Sequence, residues 1–346
     1  MRRRPAAFIA QLSLPLLLLF ALAAPGVPQG QDPATTTQRP RKVFPKEQEP
    51  EDVLRFDTDL VSVDVTAMDA TGRPIRNLRQ EDFKVYSDDL EQSISFFQIE
   101  KRQGEARPLA IVFALDVSGS VTAEEMVRLR NALQSFSNQL SSHPVVYAVM
   151  AFGMRVKTVQ KFTSDPNKLD DSLERISRDA PNGLSTHTYD AVDDAIRMLV
   201  RSAPRTREKR LMKRAVLVVT DGFPVGDIVS PQTVIERANA ADVSVFVVTL
   251  PSYSRVMASS AQTPLPTPLD VSGLAEATGG RNVYANEKDY APLFRALAEE
   301  VSSAYVLAFY PPDEKRRDGK THTIRVEGPP GLTLRQSRSE YRAASK

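Results

Sequence analysis

The sequence predicts an α/β fold: a doubly wound, mostly parallel sheet that is inserted in, or flanked by, a small antiparallel β-sandwich. Three observations carry this reading. Between 108 and 302, apolar β-rich runs at 109–115, 145–152, 215–220 and 243–250 alternate with helical segments near 122–140, 167–178, 188–201, 231–241 and 287–302. Strands with no polar face are buried on both sides, as in parallel sheets covered by helices. On either side, at 53–103 and 303–342, the pattern changes to period-two alternation, the mark of half-exposed antiparallel strands. Neither flank has enough strands to bury a core alone, so the two are expected to pair into one sandwich around the inserted segment. Two separate small β units are the alternative.

The chain starts as an export signal does. Arg2, Arg3 and Arg4 precede an apolar run at 12–24 that contains Pro15 and ends in the small residues Ala21, Ala23 and Ala24. The run is shorter than the roughly 20 residues of a spanning helix. Residues 1–24 therefore read as a signal peptide, with an uncleaved anchor as the alternative, and the mature chain is expected to be secreted, periplasmic or in the cell envelope. No stable membrane span is expected after cleavage. Residues 25–52, rich in Pro, Gln, Thr and charge, read as a disordered tether.

The first flank offers strands at 60–66, 82–86 and 92–98, with turn residues at 69–72 and 87–90. Inside the α/β segment, 155–160 alternates where its neighbours do not, which predicts an antiparallel edge strand. The second flank offers strands at 304–310, 321–326 and 332–335, separated by turn-rich 311–314 and 328–331.

Composition removes several function classes. The 346 residues are 41% hydrophobic and 25% charged, with a net charge of +2, so there is no global pull toward nucleic acid or an anionic membrane. The absence of cysteine excludes disulfides, zinc–thiolate sites and cysteine nucleophiles. His143, His187 and His322 lie in no metal-ligand spacing. There is no Gly-x-Ser-x-Gly elbow, no His-Glu-x-x-His and no Gly-x-x-x-x-Gly-Lys-Ser/Thr loop. A phosphatase-like nucleophile at Asp116 would want a second Asp two residues on, where Ser118 stands. His187 is a weak candidate base beside a surface-histidine reading. The chain is expected not to be an enzyme.

What remains is oxygen chemistry. Asp116, Ser118 and Ser120 follow the apolar run 109–115 directly and precede a helix. Ligands of doubly wound sheets bind where strand carboxyl ends meet helix starts. Asp221 ends a second apolar strand, and Thr186 stands in a glycine-containing loop leading into another helix. Two carboxylates and three hydroxyls from three loops suit a hard divalent cation, Mg2+ first, with Mn2+ or Ca2+ as alternatives. Asp-x-Ser-x-Ser alone is a weak signal, because Thr122-x-x-Glu125 also matches a capping box. The strand context, the Thr186 loop and Asp221 supply the rest.

With these residues in place, the chain resembles a von Willebrand factor A domain over about 108–302. The resemblance implies that Asp116, Ser118, Ser120, Thr186 and Asp221 form a metal-ion-dependent adhesion site. It further implies that the hydroxyls touch the metal directly and one or both carboxylates act through water. The usual Gly-Gly-Thr is here Gly183-Leu184-Ser185-Thr186, with an extra residue, so Ser185 or Thr188 are alternatives for the third hydroxyl. The flanks, at 61–65, 78–86, 305–311 and 323–326, are similar to a family of exported bacterial, notably acidobacterial, proteins related to the same domain. The expected function is an exported adhesion module that binds a protein partner's Asp or Glu carboxylate through the cation. A scaffold or assembly role in the envelope, with the metal mainly stabilising, is the alternative.

Two further stretches stand out. The loop at 251–268 follows an apolar strand, so it is expected on the metal face, where it would shape partner choice; plain disorder is the other reading. The basic stretch 201–214 is expected at the opposite end as a solvated connection, with contact to an acidic wall or lipid as the alternative.

Overall fold

The computed structural model describes residues 60–99, 106–178, 186–204, 206–207, 210–252, 266–285, 288–302 and 305–343. Residues 1–24, expected to be an export signal, residues 25–52, expected to be a tether, and most of the 251–268 loop lie outside the described residues.

The first flank folds as β1 (Val61–Met68), β2 (Pro74–Ile75), β3 (Lys84–Ser87), β4 (Leu90–Gln92) and β5 (Phe96–Ile99). The α/β segment follows as β6 (Leu109–Asp116), α1 (Ala123–Gln139), β7 (Val145–Phe152), β8 (Val156–Thr163), α2 (Pro166–Arg178) and α3 (Thr188–Ser202). It continues through β9 (Thr206–Arg207), β10 (Arg210–Leu211), β11 (Lys213–Thr220), α4 (Pro231–Ala241) and β12 (Val243–Thr249). The segment closes with α5 (Pro268–Val271), α6 (Leu274–Ala277), β13 (Asn282–Tyr284) and α7 (Ala291–Ser302). The second flank is β14 (Tyr305–Phe309), α8 (Asp313–Arg316), β15 (Thr321–Glu327), β16 (Thr333–Gln336) and β17 (Glu340–Arg342).

The central sheet has six strands in the order β13-β12-β11-β6-β7-β8, parallel except for β8, which runs antiparallel to β7 at one edge. The central strands β6, β7, β11 and β12 are mostly apolar and buried at nearly every position because both faces are covered. Leu109, Ile111, Phe113 and Leu115 of β6 pack with Leu133 and Phe136 of α1 and Leu297 of α7. The alternate residues Ala110, Val112 and Ala114 pack with Val192 and Ile196 of α3 and Val234 of α4. Phe113 meets Phe136 edge-on at 5.5 Å and stacks on Tyr147 at 5.7 Å. Such pairs add about 0.5–1.5 kcal/mol each beyond area burial.

The two flanks interleave. One antiparallel sheet runs β16-β1-β14-β5, with β2 also on β1, and the other runs β17-β15-β3-β4. Val63 pairs with Leu307 and Val85 with Val326, so each sheet is built from both ends of the chain. Between the sheets lies a core of Val63, Val65, Val85, Tyr305, Phe309, Ile324 and Tyr341. Phe83 and Tyr305 rings sit 5.0 Å apart, and the Tyr305 hydroxyl donates to the Ile75 carbonyl at 2.8 Å. All described strands and helices belong to one compact unit. No helix among the described residues is long and apolar enough to cross a membrane.

Two details differ from the sequence expectation. The strand expected at 92–98 is two strands in different sheets, because the chain crosses between sheets after Gln92 while its alternation continues through Ile94 and Phe96. The hairpin before it turns on Asp88 and Asp89, at φ 47° and 62°, a left-handed pair that matches strand twist. The basic stretch is not a purely solvated connection: Lys213 and Arg214 are the first residues of β11 and are buried.

Lys213 belongs to a buried ion cluster. Asp64 of β1 receives Arg107 at 3.0 Å on one oxygen and Lys213 at 2.9 Å on the other. Arg107 Nε also donates to the Leu211 carbonyl at 2.8 Å. Asp64 exchanges backbone bonds with Ser337, its N–H donating to Ser337 Oγ and its carbonyl accepting from the Ser337 N–H. Burial would raise the Asp64 carboxyl, but the two cations override it and hold it well below the usual range. The cluster ties β1 to the amino ends of β6 and β11.

Candidate metal centre

Asp116 is the last residue of β6, where the apolar strand meets the loop, and is only 1% exposed. Its Oδ1 accepts the Ser118 N–H at 2.8 Å, an Asx turn that curls the chain back over the strand end. That curl brings the Ser118 and Ser120 hydroxyl oxygens to 2.9 Å from each other. The loop is then fixed by the α1 cap: Thr122 accepts the Glu125 N–H, and Glu125 Oε2 accepts from the Thr122 N–H and hydroxyl. Glu125 is itself buried, and its Oε1 accepts the Ser252 N–H at 2.9 Å. One carboxylate thus links the serine loop to the exit of β12.

β11 runs parallel to β6 with Val219 level with Leu115, so Thr220 and Asp221 emerge beside Asp116. Thr220 donates its hydroxyl to Asp116 Oδ2 at 2.7 Å. Asp221, 5% exposed, accepts the Phe223 N–H at 3.1 Å. Between them and the next loop, Gly222 adopts φ +87°, and a Cβ there would meet Thr267 at 2.7 Å.

The strip at 186–187 completes the site. Thr186 is 4% exposed and forms an antiparallel bridge with Val225, while His187 N–H donates to the Gly153 carbonyl. Gly153 follows Phe152, which is paired with Asp116. The strip is therefore held from both sides across the carboxyl end of β6, and all five predicted residues stand at that end. Thr188, the first residue of α3, is fully buried and its hydroxyl points to the Thr186 carbonyl at 3.4 Å. Ser185 lies outside the described residues.

Electrostatics follow from burial. Burial pushes the Asp116 carboxyl up to about 6, against hydrogen bonds from Thr220 and Ser118, and the charge of Asp221 adds to the rise. No Lys, Arg or His among the described residues forms an ion pair with either carboxylate. Two buried carboxylates beside clustered hydroxyls, with no organic cation between them, are the donor set a hard divalent ion takes. The residues present fit such an ion.

Beside this site, His187, Asp190 and Asp227 offer ligand atoms within 4.8 Å of one another. Their bonds describe a clasp. Asp190 accepts the N–H groups of Ile228 and Val229 and pairs with His187 Nδ1 at 2.9 Å, while Asp227 accepts the Asp190 N–H. Burial raises the Asp190 carboxyl, but these donors outweigh it and hold it below the ordinary value. The clasp fixes the loop that carries Val225 and so the position of Thr186.

Sequence reasoning missed Thr220, Glu125 in its link to Ser252, and the Asp190–Asp227 clasp. A Thr closing an apolar strand reads as a β-branched strand former. The capping box explained Glu125 without its second partner.

Residues 110–264 match the family model for the von Willebrand factor type A domain. Similar solved structures include the conserved hypothetical protein BatB from Bacteroides thetaiotaomicron, at 18% identity and TM-score 0.40, covering 56% of this chain and 97% of that one. A von Willebrand factor type A protein from Catenulispora acidiphila matches at 13% identity and TM-score 0.45, covering 77% and 74%. The manganese-loaded TRAP protein of Plasmodium vivax matches at 15% identity and TM-score 0.40, covering 74% and 98%. No match is found among the curated proteins.

Proposed function

We propose that this protein is an exported binding module that grips a partner protein's Asp or Glu carboxylate through a divalent cation, Mg2+ in the first instance. The cation is held by Asp116, Ser118, Ser120, Thr186 and Asp221. The observation that carries this reading is the pair of buried carboxylates at the ends of β6 and β11 with the two serine hydroxyls 2.9 Å apart beside them. A hard ion on two carboxylates and neutral hydroxyls keeps Lewis acidity toward one further oxygen ligand. The partner's carboxylate is that ligand. The module binds; it turns over no ester, phosphate or peptide, and it takes no nucleic acid.

The second reading, an envelope scaffold in which the ion only stabilises, is favoured by one feature: Thr220 and Ser118 tie Asp116 into the fold itself. Capture of binding proteins from envelope extract in Mg2+ and in chelator, by wild type and Asp116→Ala with melting measured in parallel, separates the two. Metal-dependent capture lost in a variant that still folds supports adhesion. Equal capture alongside lowered stability supports the scaffold.

A further inference from the structure

At the far end of the central sheet from the metal centre, the C-terminal halves of α3 and α4 enclose a groove of about 640 Å³. Buried Ile196 and Ala241 line it together with Val200, which is 55% exposed, and with Arg197, Arg201 and Arg237. Two of the guanidinium groups are set in place by one buried carboxylate. Asp193, 3% exposed, takes Arg197 Nε at 2.8 Å and Arg237 Nη1 at 2.6 Å, and both arginines remain about half open to solvent. Arg201 is exposed and has no carboxylate partner among the described residues. Arg214 also lines the groove and donates to the Ala241 carbonyl at the end of α4.

Arginines at helix C-termini offset the helix dipole, but that role asks for neither a buried carboxylate that holds two of them nor an exposed valine in the same groove. Guanidinium forks match phosphate oxygens bidentately. A docked amphipathic helix would need a run of large apolar anchors, whereas Val200 is the one large exposed apolar side chain in this groove, which four arginines also line. We propose that the groove docks the protein on an anionic lipid surface, with headgroup phosphates between Arg197, Arg201 and Arg237 and Val200 set into the interface. Arg214 is at the amino end of β11 and Asp221 just beyond its carboxyl end. Docking here therefore points the metal centre away from the lipid.

The test is flotation of the folded chain with phosphatidylcholine vesicles, with and without phosphatidylglycerol. Binding is expected only with phosphatidylglycerol, weakening as salt rises. Each arginine near an anionic surface contributes roughly fivefold, so Arg201→Glu, which changes two charges, is expected to weaken binding about 25-fold. Val200→Asp is expected to weaken it too, and Arg201→Lys to retain most of it. Chelator and Asp116→Ala leave it unchanged, which separates this result from the fate of the adhesion reading. Equal binding to neutral vesicles, undiminished binding by Arg201→Glu with unchanged melting, or capture of polyglutamate in place of vesicles overturns the proposal.

Discussion

Asp64→Asn is the substitution whose cost the structure fixes most closely. Asp64, Arg107 and Lys213 are 6%, 4% and 6% exposed, so the amide would leave two buried cations facing a neutral group. Their remaining partners, the Leu211 carbonyl and the Ser244 hydroxyl, are neutral. Breaking a buried pair from one side costs about 3–5 kcal/mol, against about 0–1 for an exposed pair. Urea unfolding of wild type and variant at pH 7 measures the difference. The pH dependence has a fixed sign. The folded-state carboxyl is held below its ordinary value of 3.8, so its contribution is fully present above about that pH and is lost as pH falls through the lower folded value. The gap between the two proteins should stay level from pH 8 to about 4 and narrow below. A gap under about 1 kcal/mol at pH 7 with an unchanged denaturant slope, or one that widens on acidification, refutes the reasoning.

Three other outcomes follow from the site. Thr220→Val removes the hydroxyl that donates to buried Asp116 and is expected to cost about 1–3 kcal/mol in thermal unfolding; an unchanged melting point contradicts it. Gly222→Ala puts a Cβ at φ +87° against Thr267 and is expected to cost at least about 1 kcal/mol, read by urea unfolding, with a neutral result counting against the turn geometry. Without metal, raising the Asp116 carboxyl from 3.8 to about 6 means the folded state binds the proton more tightly. Stability should then fall by about 3 kcal/mol as pH rises from about 4 to 6, and Asp116→Asn should abolish that slope in chelator.

The sequence made the central sheet legible because strands buried on both faces carry no alternating polar face, and their lengths fit the alternation with helices. The serine loop was legible for a different reason: Asp116, Ser118 and Ser120 are contiguous and sit where an apolar run stops. Asp64 was not. It occupies the polar phase of an alternating strand and reads as solvent-facing, yet that face of β1 is covered by Arg107 and Lys213. β13 and β17, three residues each, are too short to show a period. The crossover after Gln92 left no mark because alternation does not reveal which sheet a residue joins.

Titration calorimetry with Mn2+, paired with electron paramagnetic resonance of the bound ion, probes the metal centre without knowledge of the partner. One Mn2+ per chain is expected, bound by wild type, lost in Asp116→Ala and Asp221→Ala, and displaced by excess Mg2+. No uptake by the folded wild type, or uptake that both variants retain, would contradict a cation at the ends of β6 and β11.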